Sequence, residues 1–537
     1  MNEVDFDPIQ VEVWRHMLAE IAEEMGGTLQ RTAYSPNIKE RLDHSCAVFD
    51  SEGRLLAQAA HIPVHLGAMP LMMDALRNSV NWPPGVMWLC NDPRYGGTHL
   101  PDITLIAPVY EGQDLIGYVA SRAHHADVGG LAPGSLPLST EAFHEGLILS
   151  PVMLVENGAL RNDILGLVCA NSRTPLERRG DIAAQVAAIE TGARRLLSLS
   201  VTYGRAEFLK RAAESIAYAE AMVRRTLFTL PPGTYRAEDV LDDDGAGAIE
   251  IPIRVAVSID HDDVTNHAQI VFDFTGSALQ VKGSLNATEA ITRSACYYVV
   301  RCLVPDEIPT NAGCFAPITV IAPAGTIVNA RFPAAVAGGN VETSQRMTDV
   351  ILLALAKIVP ERAPALSQGT MNNVTIGGHD EERHRPYAYY ETSAGGAGAS
   401  PQSDGLSGIH THMTNTRNTP IEVLESHYPL RILTYSLAGG SGGAGAQRGG
   451  EGLVRRVQLL SGARVTLLTE RRLHAPPGAQ GGGDGRCGAN TLLLPDGEEV
   501  QLPPKWSGDC PAGAVLTITT PGGGGWGRVQ VDFTSKK

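Results

Sequence analysis

The chain has 537 residues, of which 43% are hydrophobic and 19% charged, and a formal charge of −15 at pH 7. That length predicts about three or four folded units, and the composition excludes a disordered chain. The negative charge and the lack of any Lys/Arg-rich run exclude nucleic acid as a partner held by counterion release.

The opening MNEVDFDPIQVEVW lacks the order of a secretory signal, and no apolar stretch approaches the ~20 residues that span a bilayer. A cytoplasmic location with no membrane partner is the expectation. Asp7-Pro8 predicts a helix N-terminus, followed by Val11, Trp14, Met17, Leu18, Ile21 and Met25 at helical spacing. SCAVFD and RLLAQAA then flank the turn residues 50–53 as a β-hairpin. A helix near 68–80, a strand over 86–90 and a second hairpin, ITLIAPVY and LIGYVAS around EGQD, complete a mixed α/β region. Residues 181–230 predict two packed helices broken near Tyr203-Gly204.

At about 231 the period changes to alternation, in IEIPIRVAVSI and AQIVFDFTG, and a second unit begins. Gly338-Gly339-Asn340 leads into VETSQRMTDVILLALAKIV, a helix with Asn340 as its expected N-cap. Beyond 390, GGAGAS, AGGSGGAGAQRGGEG, GAQGGGDG and PGGGGWG are too short and too interspersed with strand patterns to be linkers, so they predict tight turns or close backbone approaches. The expected fold is mixed α/β (α+β) and multi-domain: an N-terminal α/β region over 1–230, a β-rich unit over 231–335, a helix with Gly-rich strands over 336–450, and a β-rich C-terminal region over 451–537. Eight scattered cysteines without a CxxC pair predict buried thiols rather than a zinc ribbon or a disulfide framework.

The segment that carries chemistry is NDPRYGGTHLPDITLIAPVYEGQDLIGYVASRAHHADVGG. If residues 111–114 form the turn, residue i faces residue 225−i, which sets Asp102 opposite Ala123, give or take one register step. His99, Asp102 and His124 then converge at one end of the hairpin. The same arithmetic on the first hairpin sets Asp43 opposite His61. Imidazole nitrogens with carboxylate oxygens suit a divalent transition ion such as Zn²⁺ or Mn²⁺; the competing reading is a polar loop cluster. His125 and Asp127 are assigned to supporting roles, because neighbouring strand residues point to opposite faces. His410 and His412 are read as a polar cleft wall and His144 as an ordinary hydrogen-bonded histidine. Gly439–Gly443 matches GxSxG without the strand and helix that a nucleophile elbow needs. No Gly-Lys dipeptide occurs, so there is no Walker A loop, and any ATP site is expected on another chain.

DPIQVEVWRHMLAEIAEEMGGTLQRTAYSPNIKERLDHSCAVFD, NDPRYGGTHLPDITL, SRAHHADVGG, APGSLP, AGGNVETSQRMTDVILLAL, HMTNTRNTPIEVLE and TPGGGGWG resemble, in order, blocks of the hydantoinase B, 5-oxoprolinase and acetone carboxylase family. The resemblance implies a metal-carrying subunit that works with a hydantoinase A-like, ATP-binding (ATP/Mg²⁺) subunit, two copies of each, to open a small cyclic amide: a hydantoin, 5-oxoproline or another lactam. By motif position it implies metal ligands at Asp43, His99, Asp102 and His124, with zinc preferred over manganese. His125 and Asp127 become candidates for a catalytic proton shuttle, and bicarbonate a candidate co-substrate. The rivals are a ketone carboxylase and a non-catalytic scaffold for the ATP-binding chain. His44 and His144 depart from residues common in the family, which leaves the substrate open.

Overall fold

A computed structural model describes residues 7–59 and 62–529. The first helix, Pro8–Thr32, starts where the sequence predicts: the Asp7 carboxylate accepts from the backbone N–H groups of Ile9 and Gln10, and Pro8 occupies the first turn. Its stripe of Val11, Trp14, Leu18, Ile21 and Met25 is buried.

That helix lies on a seven-stranded antiparallel sheet made of β1 (His44–Asp50), β2 (Leu55–Gln58), β3 (Met87–Cys90), β4 (Asp102–Glu111), β5 (Asp114–His124), β6 (Val152–Glu156) and β7 (Ala159–Leu160). The strand order is β2-β1-β5-β4-β3-β6-β7. Both faces are covered. Cys46, Val48, Leu105, Val119 and Ala123 pack under helices Pro8–Thr32, Pro175–Tyr203 and Arg205–Phe228. The alternate residues Ala47, Phe49, Ile106, Tyr118 and Ala120 join the core built with helix Ala68–Arg77 and the second half of the chain. The break between the two long helices falls at Gly204, whose φ of +86° a glycine adopts without strain.

Strands Gly233–Asp243, Ile249–Asp262, His267–Asp273 and Ile318–Ile321 form a four-stranded sheet whose buried face shares a core with helices Glu289–Leu303 and Ser344–Ile358. The latter helix corrects one expectation. Its N-cap position is Thr343, and Asn340 sits inside a π-helical turn, Gly339–Thr343, that precedes it. The Asn340 side chain turns to a histidine in the turn that leads into β4 instead of capping the helix.

Two further sheets stack through one core: Arg385–Glu391, Asn373–Asp380, Ala463–Leu468 and Lys505–Cys510 against Leu430–Leu437, Leu453–Leu459, Val515–Thr519, Ala489–Leu493 and Glu499–Leu502. Beside them the glycine clusters run next to one another, outside these sheets. Their ladder is backbone to backbone: Gly450 N–H donates to the Ala397 carbonyl, Gly523 N–H to Gly450, Gly443 N–H to Gly523 and Gly525 N–H to Gly483, each at 2.9 Å. A Cβ on Gly523 would overlap the Ala397 carbonyl, and one on Gly450 would overlap that of Leu406. The close approaches expected from the sequence are present. Ser441 of the GxSxG match accepts from Gly452 N–H in this region. No helix among the described residues is long and apolar enough to cross a membrane.

Candidate metal centre

The hairpin β4–β5 is built as the sequence implies, with one adjustment. Next to the turn Glu111 pairs with Asp114 and Tyr110 with Leu115, but from Val109 the partner moves on by one, to Gly117, leaving Ile116 as the extra residue of a β-bulge. Asp102 therefore faces His124 rather than Ala123. His99 reaches the same place through a tight turn in which Asp102 N–H donates to the His99 carbonyl at 3.1 Å.

All three side chains are buried. The His99 Nε2 and Asp102 Oδ2 atoms are 3.3 Å apart and His124 Nδ1 lies 3.5 Å from Asp102 Oδ1. Each ring turns one nitrogen to the carboxylate and keeps the other, His99 Nδ1 and His124 Nε2, buried without a hydrogen-bond partner. Donor atoms of the three residues lie within 4.8 Å of one another. Two imidazoles and a carboxylate with spare buried lone pairs fit a divalent transition ion.

Burial alone would raise the Asp102 carboxyl, but His99 and His65 beside it, with hydrogen bonds from His124 and His65, hold it well below the usual carboxylate range. Burial lowers both His124 and His65, so their rings favour the neutral form that can donate a lone pair.

Asp43 arrives by a different route from the one its hairpin suggested. His61 lies outside the described residues, and the contact that positions Asp43 is instead β1 against β5: His44 pairs with Ala123, and the Asp43 carbonyl accepts from His124 N–H at 3.0 Å. The Asp43 carboxylate stands in the wall of the adjoining cavity with Asp102, His124 and Asn340, 3.9 Å from Arg41, outside the three-residue group. Burial raises its pKa, against the pull of His124 and Arg41.

The structure does not bring His125 or Asp127 to this cluster. His125 Nε2 meets the Gln185 side chain at 3.0 Å, on the helix Pro175–Tyr203, and burial lowers its pKa to about 4. The Asp127 carboxylate is taken up by the N–H groups of Gly129, Gly134 and Arg173 and by the Arg173 guanidinium. These contacts tie a loop together, away from the His99–Asp102–His124 group. His410 and His412 lie outside the strands, in a loop and turn, with His412 Nδ1 3.3 Å from the Tyr298 hydroxyl. His144 meets the Thr140 hydroxyl at 3.4 Å.

Five neighbours of the cluster have contacts that the sequence reading did not give them. His65 binds the Ser45 hydroxyl at 2.8 Å through Nδ1 and lies 3.3 Å from Asp102 Oδ2 through Nε2. Thr98 donates to the same oxygen at 2.6 Å. Tyr390 stacks on His124 with ring centroids 4.5 Å apart, and the Arg41 guanidinium lies over the Tyr390 ring, 4.8 Å from its centroid, while donating to the Tyr390 carbonyl. Asn340 Nδ2 lies 3.1 Å from His99 Nε2. Arg41, Thr98 and Asn340 lie in the quoted blocks and His65 in HIPVHLGAMP, whereas Tyr390 lies outside the blocks.

A family model described as Hydantoinase B/oxoprolinase matches residues 7–529. The chain is 40% identical to 5-oxoprolinase 1 of Arabidopsis thaliana over 97% of its own length, which is 42% of that protein. The chain thus spans about two fifths of the length of the 5-oxoprolinase relatives it matches. It is 42% identical to the protein MJ0963 of Methanocaldococcus jannaschii, covering 97% of this chain and 91% of that one. Among solved structures it is similar to an ATP-dependent caprolactamase from Pseudomonas jessenii, with a TM-score of 0.90, 28% identity, and coverage of 98% of this chain and 92% of the other.

Proposed function

The chain belongs to the hydantoinase B/oxoprolinase family, and from that premise we propose that it is the metal-binding component of an ATP-dependent cyclic-amide hydrolase. The observation that carries this reading is the buried group of His99, Asp102 and His124, with an unpartnered nitrogen on each ring, beside a cavity. His99, Asp102 and His124 would hold a divalent ion, with Asp43 as the fourth ligand from the cavity wall and zinc ahead of manganese. When bound, that ion would supply Lewis-acid polarisation of a carbonyl oxygen.

The chain's own residues do the rest. Thr98 and His65 fix the Asp102 carboxylate, and Tyr390 holds the plane of His124, so the ligand set is organised before anything enters. The cavity is small, about 20 Å³, and its lining includes Ile62, Val64, Val341, Met371 and Met413, against which the methylene edge of a small ring would pack once the site opens to admit it. Phosphoryl chemistry is assigned to a hydantoinase A-like, ATP-binding polypeptide in an assembly of two copies of each chain in the cytoplasm. The relatives in which this chain makes up only about two fifths of a longer polypeptide agree with a second functional part.

Two measurements test this reading. Elemental analysis of the purified protein is expected to find about one transition-metal ion per chain and to lose it in His124→Ala. The wild-type chain with its ATP-binding partner is expected to open a cyclic amide only when ATP is present. Full ATP-dependent activity in a metal-free preparation would reduce this chain to a scaffold.

A further inference from the structure

We infer that Asn340 is the specificity-determining residue of this site, and that its side-chain carbonyl accepts the ring N–H of a cyclic secondary amide. The inference rests on the cyclic-amide reading above and goes beyond it by naming the bond that selects the substrate class.

Asn340 is 4% exposed and lines the same cavity as Asp43, Asp102 and His124. Its Nδ2 is engaged with His99, and its Oδ1 is buried without a partner. A buried carbonyl oxygen left in this state is uncommon, because it forfeits the hydrogen bond it made in water. Asn340 lines a cavity of about 20 Å³, room for about one water, and that water, or the N–H of a ligand that displaces it, would satisfy the oxygen.

The backbone holds the amide in place. The π-turn sets Asn340 out of the helical register, and the Gly339 Cα packs against the backbone of Asn286, where a Cβ would overlap the carbonyl. Asn286 in turn donates to the carbonyls of Gly283 and Ala335, each at 3.0 Å, and the Ser344 hydroxyl donates to the Asn340 carbonyl at 2.7 Å. The acceptor is therefore fixed next to His99. In a lactam or hydantoin the N–H is bonded to the carbonyl carbon that must react. A ring with its carbonyl at the His99–Asp102–His124 group thus directs its N–H to the neighbouring position, where Asn340 Oδ1 stands. A ketone ring of the same size offers a methylene there and leaves Oδ1 unsatisfied.

The test is equilibrium binding by calorimetry, without ATP so that nothing turns over, on the metal-loaded chain assembled with its ATP-binding partner. The probes are the cyclic amide that this enzyme opens fastest and the cyclic ketone of equal ring size, in which CH₂ replaces N–H. Wild type is expected to bind the amide about 10-fold or more tightly than the ketone. Asn340→Leu should bind the two alike, and Asn340→Asp, which keeps an acceptor, should retain the preference. Equal binding of the two rings by wild type overturns the inference, as does absence of binding by either ring or an undiminished preference in Asn340→Leu. The wild-type comparison stands even if the Leu variant does not fold. Failure of ATP-dependent ring opening for every cyclic amide is a separate result, which overturns the hydrolase reading itself; ring opening with equal affinities overturns only the role of Asn340.

Discussion

The candidate metal centre, which is buried, and the glycine ladder, which is partly so, are both rich in polar atoms, yet they solve the same physical problem with opposite parts of the chain. In the metal centre the polar atoms are on side chains, and several are left unsatisfied: His99 Nδ1, His124 Nε2 and Asn340 Oδ1. In the glycine ladder the polar atoms are peptide groups, paired across segments that come too close for any Cβ. One region keeps spare bonding capacity for a visitor. The other spends its capacity on itself, so the first should fail in function and the second in folding.

The largest effect that would sharpen this contrast is Gly523→Ala. Its Cβ overlaps the Ala397 carbonyl, and a loss of about 4 kcal/mol or more of stability is expected, read as a collapse of soluble yield or of Tm. Gly439→Ala, with open space around it, should be silent in the same assay. Asp102→Asn should leave Tm within a few degrees in metal-free protein while lowering ATP-dependent turnover by about 10³-fold or more. A variant that unfolds, or one that keeps its activity, would erase the distinction between the regions.

Glu145 gives a smaller effect with a pH signature. Its Oε1 accepts from Ser139 and from the Val336 and Ala337 N–H groups that lead into the π-turn. Burial pushes its pKa up to about 7 against those hydrogen bonds. Because the folded-state value is raised, the stability tied to the protonated form is fully present below the ordinary carboxyl pKa and is lost as pH rises through about 7. Glu145→Gln should therefore gain on wild type in thermal melts between pH 5 and 8, by up to about 3 kcal/mol; a gap that does not widen with pH would refute it. His65→Gln is the smallest: metal affinity by chelator competition should fall about 10-fold, with little change in Tm.

The clustering of His99, Asp102 and His124 was legible in the sequence because the residues are chemically distinctive and lie in one 26-residue stretch that folds back on itself. Alternation and turn length were enough to bring Asp102 and His124 near each other. They were not enough for Asp43, whose position depends on β1 pairing with β5 across more than 70 intervening residues. Nor did they serve Asn340, whose local pattern is that of a helix cap and whose role is set by a contact with His99, 241 positions away. For His125, alternation along the strand was informative: neighbouring residues point to opposite faces, and the strand end sends its ring to Gln185. The glycine clusters declared close backbone approach but not which segments approach, since a residue without a side chain carries no address.

The bulge at Ile116 has a consequence for how this chain can vary. It lies at the turn end of the hairpin, about 25 Å along the strand from Asp102 at the usual rise, and it acts there as a vernier: one residue of slack at the tip shifts every facing pair up to the metal centre. Were the bulge smoothed out with every residue kept, Asp102 would meet Ala123 and His124 would turn to the opposite side of the sheet; deleting Ile116 itself leaves regular pairing that still sets Asp102 opposite His124. The exposed tip is thus free in its letters but not in its register. A single-residue insertion in β5 beside the bulge, taken up by regular pairing, would set Ala123 opposite Asp102 and disarm the candidate centre without touching any of the residues that form it.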